Sequence, residues 1–270
     1  MILPGGLLVN GRLERTVAFK PLTGQVEQSL YDSDKAASLP CRVSRALSRT
    51  VASIGKKKNL DTAVMSALSV GDRQFLMMRL CARFFGDVFW MTGTCLDCDT
   101  AFDIRMERSA IPVKAAGRTY PYVSLSLDGR KIKAVVPRGR DQERIDGLED
   151  DQAVKRLLAL CLVSVDGRKP PENFADTLSS RHWDLLDEAF ESVSPLVATR
   201  VETVCPACST PQIVDIDPYG LDGFETASFY NEVHLLASTY HWGEREILDL
   251  PRERRHLYIK LIDRSSGRSS

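Results

Sequence analysis

Apolar residues gather first in Leu7-Leu8-Val9 and between Leu13 and Phe19, on either side of Asn10-Gly11. That dipeptide suits a two-residue type I′ turn, so the chain opens with a predicted hairpin. Pro21-Leu22-Thr23-Gly24 ends it and starts a helix carrying Val26 and Leu30. A second helical period runs from about Cys41 to Ile54, with Val43, Ala46, Leu47 and Val51 on one face. Gly55-Lys56-Lys57-Lys58-Asn59 breaks it as a solvated basic loop. Ser69-Val70-Gly71-Asp72 reads as a capping box with Asp in the usual Glu place. It opens an apolar helix through Phe75, Leu76, Met78, Leu80 and Phe84, closed by Gly86.

Val88–Thr94 and Phe102–Met106 are strand-like and flank Cys95-Leu96-Asp97-Cys98. The same frame recurs later: Val201–Val204, then Cys205-Pro206-Ala207-Cys208, then Ile213–Ile216. Between the two, Val123, Leu125 and Leu127 alternate, Asp128-Gly129 turns, and Ile132, Ala134 and Val136 alternate back. Asp150-Asp151 is read as capping a helix through Val154, Leu157, Leu158 and Cys161. Pro170-Pro171 breaks the chain, and Ser179-Ser180 starts a helix with Trp183, Leu186, Phe190 and Val193. The C-terminal part is helical. Phe229, Val233, Leu236 and Tyr240 share one face, and Trp242-Gly243 ends that helix. A short helix covers 244–248. Pro251 starts a last one bearing Leu257, Tyr258, Leu261 and Ile262, with a polar tail from Arg264 to Ser270.

A Cys-x-x-Cys turn holds two sulfurs about 3.5–4 Å apart, and two such turns complete a tetrahedral zinc site. One pair is a weak signal; two with matching flanks are strong. Cys95, Cys98, Cys205 and Cys208 are therefore the candidate ligands of a structural zinc, in a split zinc ribbon built from two strand-knuckle-strand halves. A redox pair and metal-free knuckles are the competing readings. A redox Cys-x-x-Cys needs a following helix to lower its thiol pKa, whereas Ser209-Thr210-Pro211-Gln212-Ile213-Val214 is strand-like. No open coordination position is implied. The other cysteines, Cys41, Cys81 and Cys161, fall in apolar helical stretches as buried thiols. That pattern suits a reducing compartment with a metal site more than a disulfide scaffold.

Composition narrows the function. Hydrophobic residues make up 43% and charged residues 27%, and Lys+Arg equals Asp+Glu at 36 each. A neutral chain is not built chiefly to neutralise phosphates. No apolar run is long enough to span a membrane. Of the histidines, His182, His234, His241 and His256, the middle two could share a helical face, where packing is the expected role. No nucleophile elbow, Walker A or dinucleotide fingerprint is present, and no carboxylate pair stands out, so the sequence makes no positive case for an enzyme. Arg252, Arg254, Arg255 and Lys260 could make the last helix a DNA reader; a solvated or protein-facing side is the plainer expectation.

Several short motifs carry a resemblance. They are Leu3-Pro4-Gly5-Gly6, Phe19–Gly24, Leu68–Leu76, Asp215-Ile216-Asp217-Pro218-Tyr219-Gly220 and Tyr240-His241-Trp242-Gly243 with Pro251 to Tyr258. Together the chain resembles the baseplate protein family of T-even contractile phages, which includes a hub component and a hub assembly factor. The likeness touches both ends and the knuckles, and does not obviously cover the lobe from about Ile111 to Val193. It implies a non-enzymatic part of a phage tail or related injection system. Its partners would be hub, tube or wedge proteins, with no small-molecule substrate and no nucleic acid. It would be found in the cytoplasm during assembly or in the particle. The expected fold is α+β: residues 1–110 plus 194–270 form a composite core with the ribbon, and 111–193 an inserted α/β lobe. A zinc-ribbon nucleic-acid-binding regulator is the alternative.

Overall fold

The computed structural model describes residues 1–31, 36–171, 173–221 and 226–265. The chain mixes helices with small antiparallel sheets, the α+β class expected. Strands β1 (Ile2–Val9) and β2 (Arg12–Phe19) form the opening hairpin, with Asn10 at φ 48° and Gly11 at φ 76° in its turn. Both angles are those a type I′ turn requires. The first strand starts earlier than the apolar run from Leu7 suggests, and the register slips between Ile2 and Leu7, across Pro4-Gly5-Gly6. Helix α1 is Gly24–Tyr31 and helix α2 is Leu39–Thr50.

The helical period read through Ile54 stops four residues short. Val51–Ile54 is strand β3, antiparallel to β2. Val51 and Ile54 are both buried, and their segment pairs with β2 instead of continuing the helix. Helix α3 is Thr62–Ser66, and helix α4, Val70–Phe85, carries the expected apolar face into the largest core. Strands β4 (Val88–Thr94) and β5 (Ala101–Glu107) form the first cysteine hairpin.

Strand β6 (Val113–Lys114) leads into a segment with its own apolar cluster. There β7 (Tyr122–Leu127), β8 (Arg130–Val135) and β9 (Leu162–Val165) make a three-stranded sheet. Helices α6 (Asp150–Cys161) and α7 (Ser180–Val193) accompany it, while α5 (Gly139–Ile145) packs against α2, α3 and α6. Asp150 and Asp151 lie in the first turn of α6, not at its cap, which is Glu149. Val154, expected on the buried face, is 53% exposed. Strand β10 (Leu196–Val197) returns beside β6. The second cysteine hairpin, β11 (Arg200–Val204) and β12 (Pro211–Asp215), comes next. The chain closes with α8 (Thr226–Tyr240), α9 (Glu244–Asp249) and α10 (Arg252–Ser265). The polar tail predicted from Arg264 lies, from 266 on, outside the described residues.

Buried apolar residues gather in three places. The first cluster joins Leu3–Phe84 with Ile111, Val197 and Ile216–Ile262; the second runs from Tyr120 to Val193; the third is Cys95, Phe102 and Cys205. Two buried polar groups join stretches of chain distant in sequence. Asp72, wholly buried, accepts from the backbone N–H of Gly5 (2.8 Å) and Gly6 (3.0 Å), from Ser69 Oγ (2.8 Å) and from Tyr120 Oη (3.0 Å). Only half of the predicted capping box therefore forms. Ser69 Oγ caps the Asp72 N–H, but the Asp72 carboxylate reaches the N-terminal strand and the second cluster instead of the Ser69 backbone. Burial pushes the Asp72 pKa up, against the pull of the Gly5 and Gly6 donors.

Glu27 on α1 is the second tie. It is fully buried and ion-paired to Arg252 and Arg255 of α10. Arg255 is also fully buried, donates to Leu250 C=O (3.1 Å) and lies over the Phe229 ring. Burial holds both arginine pKa values down, that of Arg252 to about 10. The apolar face predicted for the last helix is corrected accordingly. Leu257 and Leu261 are 60% and 52% exposed, and the buried positions are Arg255 and Ile262.

Candidate metal centre

Each cysteine hairpin ends in the same turn. In the first, the Cys95 N–H donates to Thr100 C=O (3.0 Å) and the Asp99 N–H to Cys95 C=O (3.1 Å). In the second, the Cys205 N–H donates to Thr210 C=O (3.0 Å) and the Ser209 N–H to Cys205 C=O (2.9 Å). Asp99 and Ser209 both adopt a left-handed backbone, at φ 56° and 63°. That residue curls the chain back so that the second thiol of each pair turns toward the first.

The two turns meet. The four sulfurs all lie within 4.8 Å of one another, with Cys95 Sγ 3.6 Å from Cys208 Sγ and Cys98 Sγ 3.8 Å from Cys205 Sγ. Zinc–sulfur bonds of about 2.3 Å at tetrahedral angles set neighbouring sulfurs about 3.8 Å apart. The donor set and its spacing fit such an ion. Cys95 and Cys205 are buried against Phe102, while Cys98 and Cys208 reach the surface. Further bonds cross between the turns: the Leu96 N–H donates to Gln212 Oε1 (3.1 Å) and Thr210 Oγ1 to Asp97 Oδ2 (3.1 Å).

The thiols do not titrate alike. The Thr100 hydroxyl and N–H beside Cys98 hold its pKa down to about 6. The N–H groups of Cys98 and Asp97 favour a Cys95 thiolate too, but burial and the sulfurs of Cys208 and Cys205 keep that thiol up at about 11. Several thiolates within this distance repel one another unless a cation sits between them. A redox reading is disfavoured because each pair leads into a strand and not into the N-terminus of a helix.

The remaining expected thiols are Cys81 and Cys161, both buried, and Cys41, half-buried. None joins the cluster. The histidines also stand apart. His241 falls just beyond α8 with φ 57°, so it shares no helical face with His234. His182 pairs with Asp128 (3.1 Å) and His256 with Glu232 (3.1 Å). Two of the arginines that a DNA-reading last helix needs, Arg252 and Arg255, are turned inward to Glu27.

The short motifs of the N- and C-terminal parts prove to be packing devices. A Cβ on Gly5 would sit 2.5 Å from Asp72 Oδ2 and 2.8 Å from Tyr120 Cζ, so Leu3-Pro4-Gly5-Gly6 is the strand that Asp72 grips. Asp217 accepts from the N–H groups of Tyr219 (2.9 Å) and Gly220 (2.8 Å), closing the turn after β12. Tyr240 stacks on Trp242, and Tyr258 meets both edge to face, with all three ring centroids within 5.5 Å of one another, joining α8 to α10. Sequence marks Asp72 as a cap and not as an acceptor of backbone N–H groups. It does not reveal Glu27 and Arg255 as a pair. Their signal is a charged residue lying on the apolar stripe of its helix, Glu27 between Gly24 and Leu30–Tyr31, and Arg255 one helical face from Ile262.

A family model described as T4 bacteriophage base plate protein matches residues 9–221. The chain belongs to that family. The match runs through the 111–193 segment, which the short motifs did not reach, and stops before the Tyr240–Tyr258 motif. No curated protein and no solved structure gives a significant match.

Proposed function

We propose that this member of the T4 bacteriophage base plate protein family is a structural or assembly component of a contractile-tail baseplate, clamped by one structural zinc. The family match over 9–221 carries the reading. Support comes from the use made of each motif, since Gly5-Gly6, Asp72, Asp217 and the C-terminal aromatic cluster all spend their chemistry on packing.

Cys95, Cys98, Cys205 and Cys208 would hold the ion as four thiolates, and the ion would neutralise their charge and lock the two turns together. The two hairpins and β6–β10 sit at the crossing between residues 1–110 plus 194–270, taken as one core, and an inserted lobe of 111–193. The separate apolar cluster from Tyr120 to Val193 supports that division. A metal at the neck would hold the lobe in one orientation under mechanical load. Partners would be hub, tube or wedge proteins, met in the cytoplasm during assembly or in the finished particle. Among the described residues no helix is long and apolar enough to cross a membrane.

Deletion of the gene in the phage or prophage that encodes the chain tests the reading. The expected result is loss of complete tails with tubes and sheaths left unattached or unassembled, restored by the gene in trans. Normal tails without the gene would overturn it.

A further inference from the structure

A surface cleft of about 650 Å³ lies between β5 and β11, one strand from each cysteine hairpin. The bonds from the Cys95 N–H to Thr100 C=O and from the Arg108 N–H to Asp87 C=O fix which residues of the first hairpin face each other with paired bonds. By strand alternation the even-numbered residues of β5 bond to β4, and the N–H and C=O of Asp103, Arg105 and Glu107 point away from it. The Cys205 N–H to Thr210 C=O and Ile216 N–H to Thr199 C=O bonds do the same for the second hairpin, leaving Arg200, Glu202 and Val204 of β11 outward. Among the described residues no hydrogen bond reaches these outward backbone groups. Each hairpin is a two-stranded sheet with an open edge.

Side chains on both walls alternate in step with the backbone. Ile104, Met106 and Val201 form an apolar floor, and Arg105, Glu107, Arg200 and Glu202 form a charged rim. The cleft is bounded by the four-cysteine cluster toward the hairpin tips and by the Ala198 N–H to Pro112 C=O bond (3.0 Å) at the base. A strand carries both complements at once: backbone donors and acceptors along its edges, and side chains that alternate between two faces. An open edge is an established template for strand addition, with main-chain bonds giving affinity and alternate side chains giving specificity.

We propose that this cleft binds an extended segment of another tail protein, which adds a strand to β5 or β11. Its alternate residues are apolar toward Ile104, Met106 and Val201. Those between carry both signs of charge, complementing the Arg105/Glu107 and Arg200/Glu202 rims. The inference rests on the baseplate reading and names the contact through which it acts. Because both walls are cysteine hairpins, the same metal that clamps the turns would set the width of the cleft.

The test uses the full chain, supplied in trans to the phage or prophage lacking its gene. Thr203→p-benzoylphenylalanine places a photocrosslinker in the cleft. The expected product joins it to one stretch of a single tail protein, identified by peptide mass spectrometry, with alternating apolar residues. Arg105→Pro and Glu202→Pro then remove single outward N–H groups without touching either hairpin's own ladder. Arg105→Ala and Glu202→Ala keep the N–H and remove only the charge. Leaving a carbonyl of the bound segment unpaired is expected to cut crosslink yield roughly tenfold in at least one proline variant, and the alanine variants by less. Zinc content and circular dichroism of each variant verify its fold. No crosslink, a crosslink to a second copy of this chain, or equal yields from proline and alanine variants that retain zinc would overturn the proposal. Failure of tails to form without the gene, combined with a silent cleft, would sink the cleft alone. Normal tails without the gene would sink the baseplate reading, and the crosslink would still judge the cleft.

Discussion

Glu27→Ala is expected to be among the most damaging single substitutions in the chain, although no sequence motif marks the residue. The change takes its nearer carboxylate from the wholly buried guanidinium of Arg255, leaving Glu232 Oε2 at 3.9 Å. Arg252 is stranded less severely, because 14% of its side chain remains exposed. Removing one partner of a buried ion pair costs roughly 3–5 kcal/mol, since the remaining charge loses its compensation and keeps its desolvation penalty. The Leu250 carbonyl and the Phe229 ring still face Arg255, so the lower half of that range is the better expectation. Equilibrium urea denaturation followed by tryptophan fluorescence reads the loss as a drop in midpoint at unchanged slope. A double-mutant cycle sharpens the reading. Glu27→Met with Arg255→Met leaves only the partly exposed Arg252 without its partner, so it should cost less than Glu27→Met alone, with a coupling energy of at least ~2 kcal/mol. A Glu27→Ala variant within ~1 kcal/mol of the wild type, or a strictly additive cycle, would refute the claim that this pair joins α1 to α10.

Asp72→Ala should cost roughly 2–4 kcal/mol, because it leaves the buried N–H groups of Gly5 and Gly6 without an acceptor; thermal denaturation checks it, and loss of proteolytic protection at the N-terminal strand should accompany it. Gly5→Ala meets the same site from the other side and should destabilise by roughly 1–3 kcal/mol through the clash with Asp72 and Tyr120, measured in the same assay. In chelator-stripped protein, iodoacetamide should label Cys98 first, because its folded pKa of about 6 lies below that of an ordinary thiol and its thiolate is populated above that pH. Buried Cys81, raised by desolvation to about 11, and Cys161, raised to about 12, should stay unlabelled at neutral pH in the native fold. Peptide mapping across pH 5–8 reads this, and faster labelling of Cys81 than of Cys98 would contradict it.

The elements that local rules govern were legible in the chain. Asn10-Gly11 and Asp128-Gly129 announced their hairpins because the turn itself demands those residues. Ser69 and Gly86 marked the ends of α4 for equally local reasons. The cysteine pairs declared their own meeting, since Cys95–Cys98 and Cys205–Cys208 repeat one turn with one set of bonds. What stayed hidden depends on partners distant in sequence. Val51–Ile54 fits a helix until β2 is beside it. Asp72 fits a cap until Gly5, Gly6 and Tyr120 arrive from other parts of the chain. Arg255 reads as one surface arginine among several until Glu27 closes on it. Leu257 and Leu261 continue an apolar spacing that the packing of α8 on α10 does not use.

The central claim is a metal clamp at the junction of two matched hairpins, and native mass spectrometry of the purified full-length chain tests it most directly. One zinc per chain is predicted, lost on acidification as the thiolates take up protons and absent from Cys95→Ala and Cys205→Ala variants. A folded wild-type protein that carries less than half an equivalent of metal, prepared without chelators, would contradict the account.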